Sequence, residues 1–557
     1  MMLKTKLISS LEKCFLDDNF ESFAEITHIN IYRNTDGAFQ LLPYCGEESN
    51  YARTYYNVKV EGDIADKVFL HTVENVPNYL PFPQTPKRAA ENEPDCLRTT
   101  PGLYPDLLLP LQHRNQIAVI NCQLRSLWVE VKNDGIPAGE HKLRILLCDA
   151  QGNTAAENEI TVKVINAELP EQETRVTQWF YADCIADYYG LEVWSDIHFD
   201  YCRRFIETAV KNGVNMLYVP LLTPALDTAI GGERTTTQLV KVTVEKGEYS
   251  FDLSLLDRYI DMLLDCGVKY FEMCHLFTQW GAYHAPKVMA TVDGEYKKIF
   301  GWETDSVGEE YVTFLRKMLS AVCEYLEKKG LRDRTYFHIS DEPTDKHLQQ
   351  YMKHKQNLKD LLCGWKQFDA LSHVDFYQKG IVEIPVPANY TIADFLKEDI
   401  EERWIYYCCE HRPGYSNRFM AMPSARTRFM GIQMYKYGIE GFLQWGLNFY
   451  NNQYSDDHID PFLNANAGFW ESGGDAVSIY PGRHGQPLES IRLVAFKQGL
   501  EDIRALKLCE RYYSKEEIVA KLEEIFGEPI TFNKCVNDTK TMEKMRAAID
   551  QMIMAKI

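Results

Sequence analysis

Residues 334–343 read Arg-Thr-Tyr-Phe-His-Ile-Ser-Asp-Glu-Pro, and the fold unrolls outward from them. From Arg334 to Ile339 the run is aromatic and β-branched, as a buried strand requires. Two adjacent carboxylates, Asp341 and Glu342, come next, and Pro343 stops the strand, because proline donates nothing to a ladder and disfavours helix at the preceding residue. The C-terminal end of a buried parallel strand is where α/β barrels keep catalytic groups. The same residues allow a plainer reading, with Asp341 capping the helix that starts near Lys346 and Glu342 simply solvated.

The flanking sequence has the alternation of parallel β/α units. Strands are expected at Val176–Ala182, Met216–Leu222, Tyr270–Leu276, Thr335–Ser340, Phe368–Ser372, Val382–Val386, Trp404–Cys408 and Gly441–Trp445. Helices are expected between them at Asp200–Asn212, Ser254–Cys266, Gly308–Lys329, Lys346–Leu362, Ile392–Glu401 and Ala425–Tyr437. Gly213, Gly267 and Gly330 each follow a helix where a C-cap glycine belongs. The strand count is that of a (β/α)8 TIM-type barrel, placed at residues 171–485. Residues 1–170 carry short alternating runs with turn signals at 135–139 and 149–153, the pattern of an accessory antiparallel β-sandwich. The proline-rich stretch 75–110 is expected to be a long loop. After a polar, Gly- and Pro-rich segment at 451–485, residues 486–557 form a helical segment packed on the barrel. The fold class is therefore α/β, a barrel between a β-sandwich and C-terminal helices.

At 557 residues the chain is too long for one ordinary core. Its net charge of −20 argues against nucleic acid or an anionic membrane as partner. No apolar run reaches the roughly 20 residues of a membrane span, and the N-terminus has no signal-peptide core, so a cytoplasmic location is expected. The 15 cysteines are scattered, without a CxxC or a Cys/His cluster at zinc spacing, and read as reduced thiols with no protein-bound metal. No glycine-rich phosphate loop is present, and no cofactor is expected.

Several strand ends offer an aromatic beside an amide or a phenol: Trp179; His275, Gln279 and Trp280; Tyr406 and Tyr407; Trp445, Asn448 and Tyr450. Singly, an aromatic in a strand is core and a lone histidine is structural. Together they suit a pyranose, with its apolar faces and hydroxyl rim. Glycosidases ordinarily flank the scissile bond with two separated acids. Adjacent acids cannot do this, and in an extended strand they would face opposite ways, so the pair must sit where the strand breaks. Adjacency fits a substrate-assisted variant, in which the sugar's own 2-acetamido oxygen attacks the anomeric carbon. One acid then orients the acetamido group and its neighbour protonates the leaving oxygen.

The segments HISDEP (338–343), HLFTQWGA (275–282), WIYYCC (404–409), NRFMAMPSARTRFMG (417–431), GFLQWGLNFY (441–450) and GGDAVSIYPGRHGQPLESIRL (473–493) resemble the barrel called domain of unknown function 4091, which includes glycoside hydrolase family 123. The resemblance spans roughly residues 175–510. It implies a retaining exo-β-N-acetylgalactosaminidase working through an oxazoline intermediate, with Asp341 as acetamido stabiliser and Glu342 as general acid/base. It also implies a β-sandwich before the barrel and an oligosaccharide or glycoconjugate as substrate. Two alternatives stay open: a glycosidase for another sugar, including one without the acetamido group and using Glu272 or Asp183 as second carboxylate, and a catalytically silent carbohydrate-binding barrel. Galacto against gluco configuration, linkage and oligomeric state are not set by these residues.

Overall fold

A computed structural model describes residues 3–46, 52–82, 96–111, 115–279 and 281–557, and at Asp345 the backbone alone. The N-terminal alternating runs form two five-stranded sheets. One is ordered Lys4–Ser9, Gly37–Tyr44, Leu127–Val131, Val68–Asn78, Gly102–Pro110. The other is ordered His28–Tyr32, Thr154–Ile165, Gly139–Cys148, Arg53–Gly62, Gln116–Ile120. Neighbours are antiparallel apart from the parallel pair His28–Tyr32 and Thr154–Ile165. Phe39, Leu41 and Val129 of the first sheet share one buried cluster with Val58, Ile145 and Val162 of the second, which makes the pair a sandwich. The turn at 149–153 closes a hairpin as expected, with the Asn153 amide on the Asp149 carboxylate at 2.8 Å.

The stretch 75–110 is not a single loop. Val68–Asn78 runs into it as a strand, and Gly102–Pro110 pairs back antiparallel along the edge of the sheet. Pro105 is tolerated because it lies opposite Asn75, where the register shifts, and because its strand is an edge. Residues 83–95 lie outside the described residues.

The eight expected strands form one parallel sheet, which we label β1 (Arg175–Gln178), β2 (Met216–Val219), β3 (Tyr270–Met273), β4 (Thr335–Phe337), β5 (Lys366–Ala370), β6 (Ile384–Val386), β7 (Trp404–Tyr406) and β8 (Gly441–Gln444). The order is β6-β5-β4-β3-β2-β1-β8-β7. A single parallel bridge, Ala388 to Tyr406, completes the ring between β6 and β7. The strands are short and almost wholly buried, as in a barrel covered on both faces. β1 stops at Gln178, and Ala182 opens a helix to Tyr189 where a continuing strand was expected. The helix expected at 392–401 is one turn, Ile392–Phe395, and the one expected at 346–362 is helical over Leu348–Leu358. Gly213, Gly267 and Gly330 do adopt left-handed φ, at 87°, 90° and 71°.

Two hairpins escaped the expectations. Lys241–Glu245 with Glu248–Asp252 lies between β2 and β3, and Val288–Val292 with Glu295–Phe300 between β3 and β4. They join edge to edge into one four-stranded sheet beside the barrel.

Helix Ile491–Cys509 lies against helix Ser424–Tyr437, the two backbones meeting at Gly431 and Gly499. Two further helices, Lys515–Phe526 and Thr539–Met554, close the C-terminal side. The sandwich is tied to the barrel by buried polar contacts. Arg492 clasps Asp106 with bonds of 2.7 and 2.8 Å, and Lys13 donates to the carbonyls of Met420 and Met422. Among the described residues no helix is long and apolar enough to cross a membrane.

Candidate active site

The ladder of β4 ends at Phe337, and the next residues are held from the side. Asp369, in β5, accepts the amides of Ile339 and Ser340 at 3.1 and 3.3 Å. Glu342 then takes φ of 41°, a left-handed conformation that costs a non-glycine residue about 1–3 kcal/mol. The alternation of an extended chain therefore stops between the two acids, and their carboxyls lie within electrostatic reach of each other. Burial first, then repulsion from Glu342 and Asp227, pushes Asp341 well above the usual carboxylate range, against the pull of His338. Glu342 is exposed at the rim, yet protein crowds its carboxyl enough that burial raises it too, opposed by a hydrogen bond from the Tyr406 hydroxyl.

Beneath the pair lies a saturated network. His338, fully buried, has Nδ1 3.2 Å from Asp369 and Nε2 2.6 Å from Glu272. An imidazole whose two nitrogens both face carboxylates must donate from both, which is the cationic form. Burial opposes that charge, but the bonds from Asp369 and Glu272 outweigh it and lift the histidine to about 9. Glu272 also accepts Trp179 Nε1 at 2.7 Å and the Thr177 hydroxyl, and Asp369 accepts the Tyr351 hydroxyl. His275 stacks on His338 with ring centres 4.0 Å apart. Burial and then the His338 charge hold His275 well below its ordinary value, and its Nε2 is buried without a partner.

The residues expected at the mouth divide into two sets. Tyr406 reaches Glu342, and Trp445, at the end of β8, donates Nε1 to Asp475 at 2.8 Å. Trp179 and His275 stand over the network. Tyr407 is buried against Phe442, its hydroxyl without a partner. The polar atoms of the others are spent on the frame: Asn448 clips the backbone of Tyr181, Tyr450 donates to the Ile479 carbonyl, and Gln279 binds the backbone at Asp227 and Thr228. Trp280 lies outside the described residues. Glu272 and Asp183, the acids named for an alternative mechanism, are both buried and engaged, Asp183 with Arg234 at 2.6 Å.

Three further acids gather at this end of the barrel and were not singled out from the sequence. Asp227 follows β2. Burial, and repulsion from Glu342 and Asp475, lift it to about 6 against the pull of Arg234. Asp475 is raised by burial, against Arg418, to about 6, and Glu471 by burial and Asp475 to about 8. Asp475 also accepts Gln444 Nε2 at 2.8 Å. Arg418, buried, spans Gln178, Gln444 and the carbonyl of Asp475. Among the described residues Cys409, Glu471 and Asp475 bring donor atoms within 4.8 Å of one another, the set able to hold a metal ion. Its charge is already balanced in part by Arg418. A cavity of about 730 Å³ lies elsewhere, between the sandwich and the C-terminal helices, and none of these acids lines it.

The sequence matches the profile described as glycoside hydrolase 123, catalytic domain, over residues 179–509, more than half of the chain. No curated protein matches. Among solved structures, a family 123 glycoside hydrolase from Clostridium perfringens, described for glycolipid glycan hydrolysis, superposes with a TM-score of 0.72 at 14% identity, covering 99% of this chain and 97% of that one. A beta-galactosidase described as putative, from Bacteroides fragilis, reaches a TM-score of 0.27 at 10% identity (79% of this chain, 54% of that one). A β-glucuronidase from Bacteroides uniformis reaches 0.29 at 9% identity (91% and 51%), and neither likeness bears on the fold. With the profile lying across the barrel, from Trp179 after β1 to Cys509 at the end of the helix that follows β8, the chain belongs to glycoside hydrolase family 123.

Proposed function

We propose that the protein is a retaining exo-β-N-acetylhexosaminidase, galacto-preferring, that cleaves oligosaccharides or glycoconjugates by substrate-assisted catalysis. The observation that carries the reading is the adjacency of Asp341 and Glu342 at a broken strand end, with no second carboxylate freely available at Glu272 or Asp183. The acetamido oxygen attacks the anomeric carbon while Glu342 gives its proton to the glycosidic oxygen, and the aglycone leaves as an alcohol. Asp341 accepts the acetamido N–H and faces the positive charge of the oxazolinium ion. Glu342 then takes a proton from water, which attacks the anomeric carbon from the face the aglycone left, displaces the acetamido oxygen on the opposite face and leaves a β product.

The free cleft favours the other proton arrangement, because burial weighs more on Asp341 while the Tyr406 hydroxyl stabilises the Glu342 anion. An acetamido N–H donated to Asp341 reverses this, favouring its anion and driving the shared proton to Glu342. Substrate binding thus arms the acid. His338 beneath adds a fixed positive charge that helps Asp341 ionise.

The test is a panel of 4-nitrophenyl glycosides, with and without the 2-acetamido group, in both anomeric forms. Turnover confined to β-acetamido substrates, with strong inhibition by a thiazoline analogue of the intermediate, supports the reading. Efficient hydrolysis of a plain β-galactoside would move it to a two-carboxylate mechanism, and turnover of nothing would leave a binding barrel.

A further inference from the structure

Asp227 is built in a way that a loop residue does not need. It has φ of 55°, left-handed for a non-glycine residue, in the segment between β2 and the first hairpin. Both of its backbone groups are clamped in that conformation. Its N–H donates to Gln279 Oε1 at 2.6 Å, and its carbonyl accepts the Ser455 hydroxyl at 2.7 Å. Gln279 follows β3 and Ser455 lies beyond β8, so two other segments of the barrel mouth fix this one residue. Strain held by outside contacts in this way is characteristic of functional positions.

The carboxylate, by contrast, has no hydrogen bond and no ion pair among the described residues. Arg234, the cation that acts on it, is committed to Asp183 at 2.8 and 2.6 Å. Asp227 is only half-buried, yet its charge is coupled to those of Asp341, Glu342 and Asp475. Desolvating an unpaired carboxylate among other acids is costly unless a ligand supplies the missing donors. In a glycosidase cleft those donors are hydroxyl groups, and a carboxylate accepts two of them in charge-assisted bonds.

We infer that Asp227 is a sugar-binding residue of the Asp341–Glu342 cleft, accepting hydrogen bonds from ring hydroxyls of the terminal sugar. The inference rests on the glycosidase reading above, though not on the acetamido mechanism. At neutral pH the group is largely ionised, the form that accepts on both oxygens.

The test is Asp227→Asn, a substitution that tolerates left-handed backbone and keeps the clamps, assayed on the best 4-nitrophenyl glycoside and on its 3-, 4- and 6-deoxy analogues. On the parent substrate kcat/KM should fall about 10- to 100-fold, the worth of a charged hydrogen bond, with the thermal midpoint unchanged. On a deoxy analogue lacking a contacted hydroxyl, the gap between wild type and variant should shrink several-fold, while analogues that keep the contacted hydroxyls show the full loss. An equal loss on the parent and every analogue, no loss at all, or covalent capture of a 2-fluoro sugar on Asp227 would each overturn it. Because the series uses whichever glycoside wild type hydrolyses best, failure of the acetamido mechanism and failure of this assignment give different results.

Discussion

Removing one oxygen atom separates two jobs of the Tyr406 side chain. The Tyr406 hydroxyl is the sole hydrogen-bond partner of the Glu342 carboxylate among the described residues, and it donates, which favours the anion. Tyr406→Phe keeps the ring in its buried site in β7 and leaves the carboxyl without a donor. A hydrogen bond to a charged group is worth about 1.5–3 kcal/mol, so the pKa of Glu342 should rise by about 1–2 units. On the proposed function Glu342 delivers the proton it shares with Asp341 in the free enzyme, and the alkaline limb of kcat/KM against pH reports loss of that proton from the pair. That limb should therefore move up in the variant, by up to about 1–2 units. The plateau should fall separately, because a carboxyl held by a left-handed backbone but no longer by the phenol is less well aimed. The assay is kcat/KM from pH 4 to pH 10 (a range of about six units that covers both limbs) on a substrate with a poor leaving group. An alkaline limb that stays put, or moves down, would refute both the assignment of the acid and the role of the phenol.

Other substitutions probe the machinery and the frame. Glu342→Gln should lower turnover of poor-leaving-group substrates by roughly 10²–10⁴-fold with an unchanged thermal midpoint, whereas near-normal activity would move the acid elsewhere. The thermal midpoint of wild type should fall between pH 7 and pH 9.5: His338 is raised to about 9, above its unfolded value of about 6.5, so its contribution is complete below the lower value and lost through the higher one. His338→Asn should flatten that slope in a differential scanning series. Asp106→Asn should destabilise by about 3–5 kcal/mol in denaturant titration, because it strands the buried Arg492 cation between sandwich and barrel. Gly431→Ala places a Cβ 2.1 Å from the Gly499 carbonyl, so the two helices must part, at a cost of about 1–3 kcal/mol read from the same titration.

What the sequence disclosed was local. The barrel strands are apolar runs whose composition announces them, and glycines 213, 267 and 330 mark helix ends by a conformation that residue favours. The two hairpins were equally local and went unread. Asp293-Gly294 and Lys246-Gly247, both at positive φ, sit between alternating runs and carry the two-residue turn signature. Reading those runs as part of β/α connections hid them. The acids were legible where they were adjacent, because Pro343 forced a strand end. They were illegible where they were assembled from distant segments. His338 meets Glu272 across 66 residues, Asp475 meets Trp445 across 30, and Asp227 has no motif of its own. Asn448 and Tyr450 looked like ligands because amides and phenols bind sugars, yet the same atoms serve equally well to cap backbone groups in long loops.

The division between floor and mouth explains how so many carboxyls coexist. Glu272, Asp369 and His338 form a closed set in which every oxygen named has a donor and the central cation lies between two anions. Arg418 ties the ends of β1 and β8 together, and Arg234 holds Asp183 through one carboxylate oxygen. Such saturated networks rigidify a core, and their satisfied groups can be buried without net penalty. The strain and the unmet charge are concentrated above them, on Glu342, Asp227 and Asp341, at the ends of segments that the network holds still. Loosening a floor residue should therefore damage catalysis before it damages the fold, because Asp369 holds the Ile339 and Ser340 amides that lead into Asp341 and Glu342. A ligand that supplies donors to Asp341 and Asp227 relieves repulsion that the empty protein carries. On the proposed function, that relief favours a hydroxyl-rich, N–H-bearing sugar over an anion of the same size.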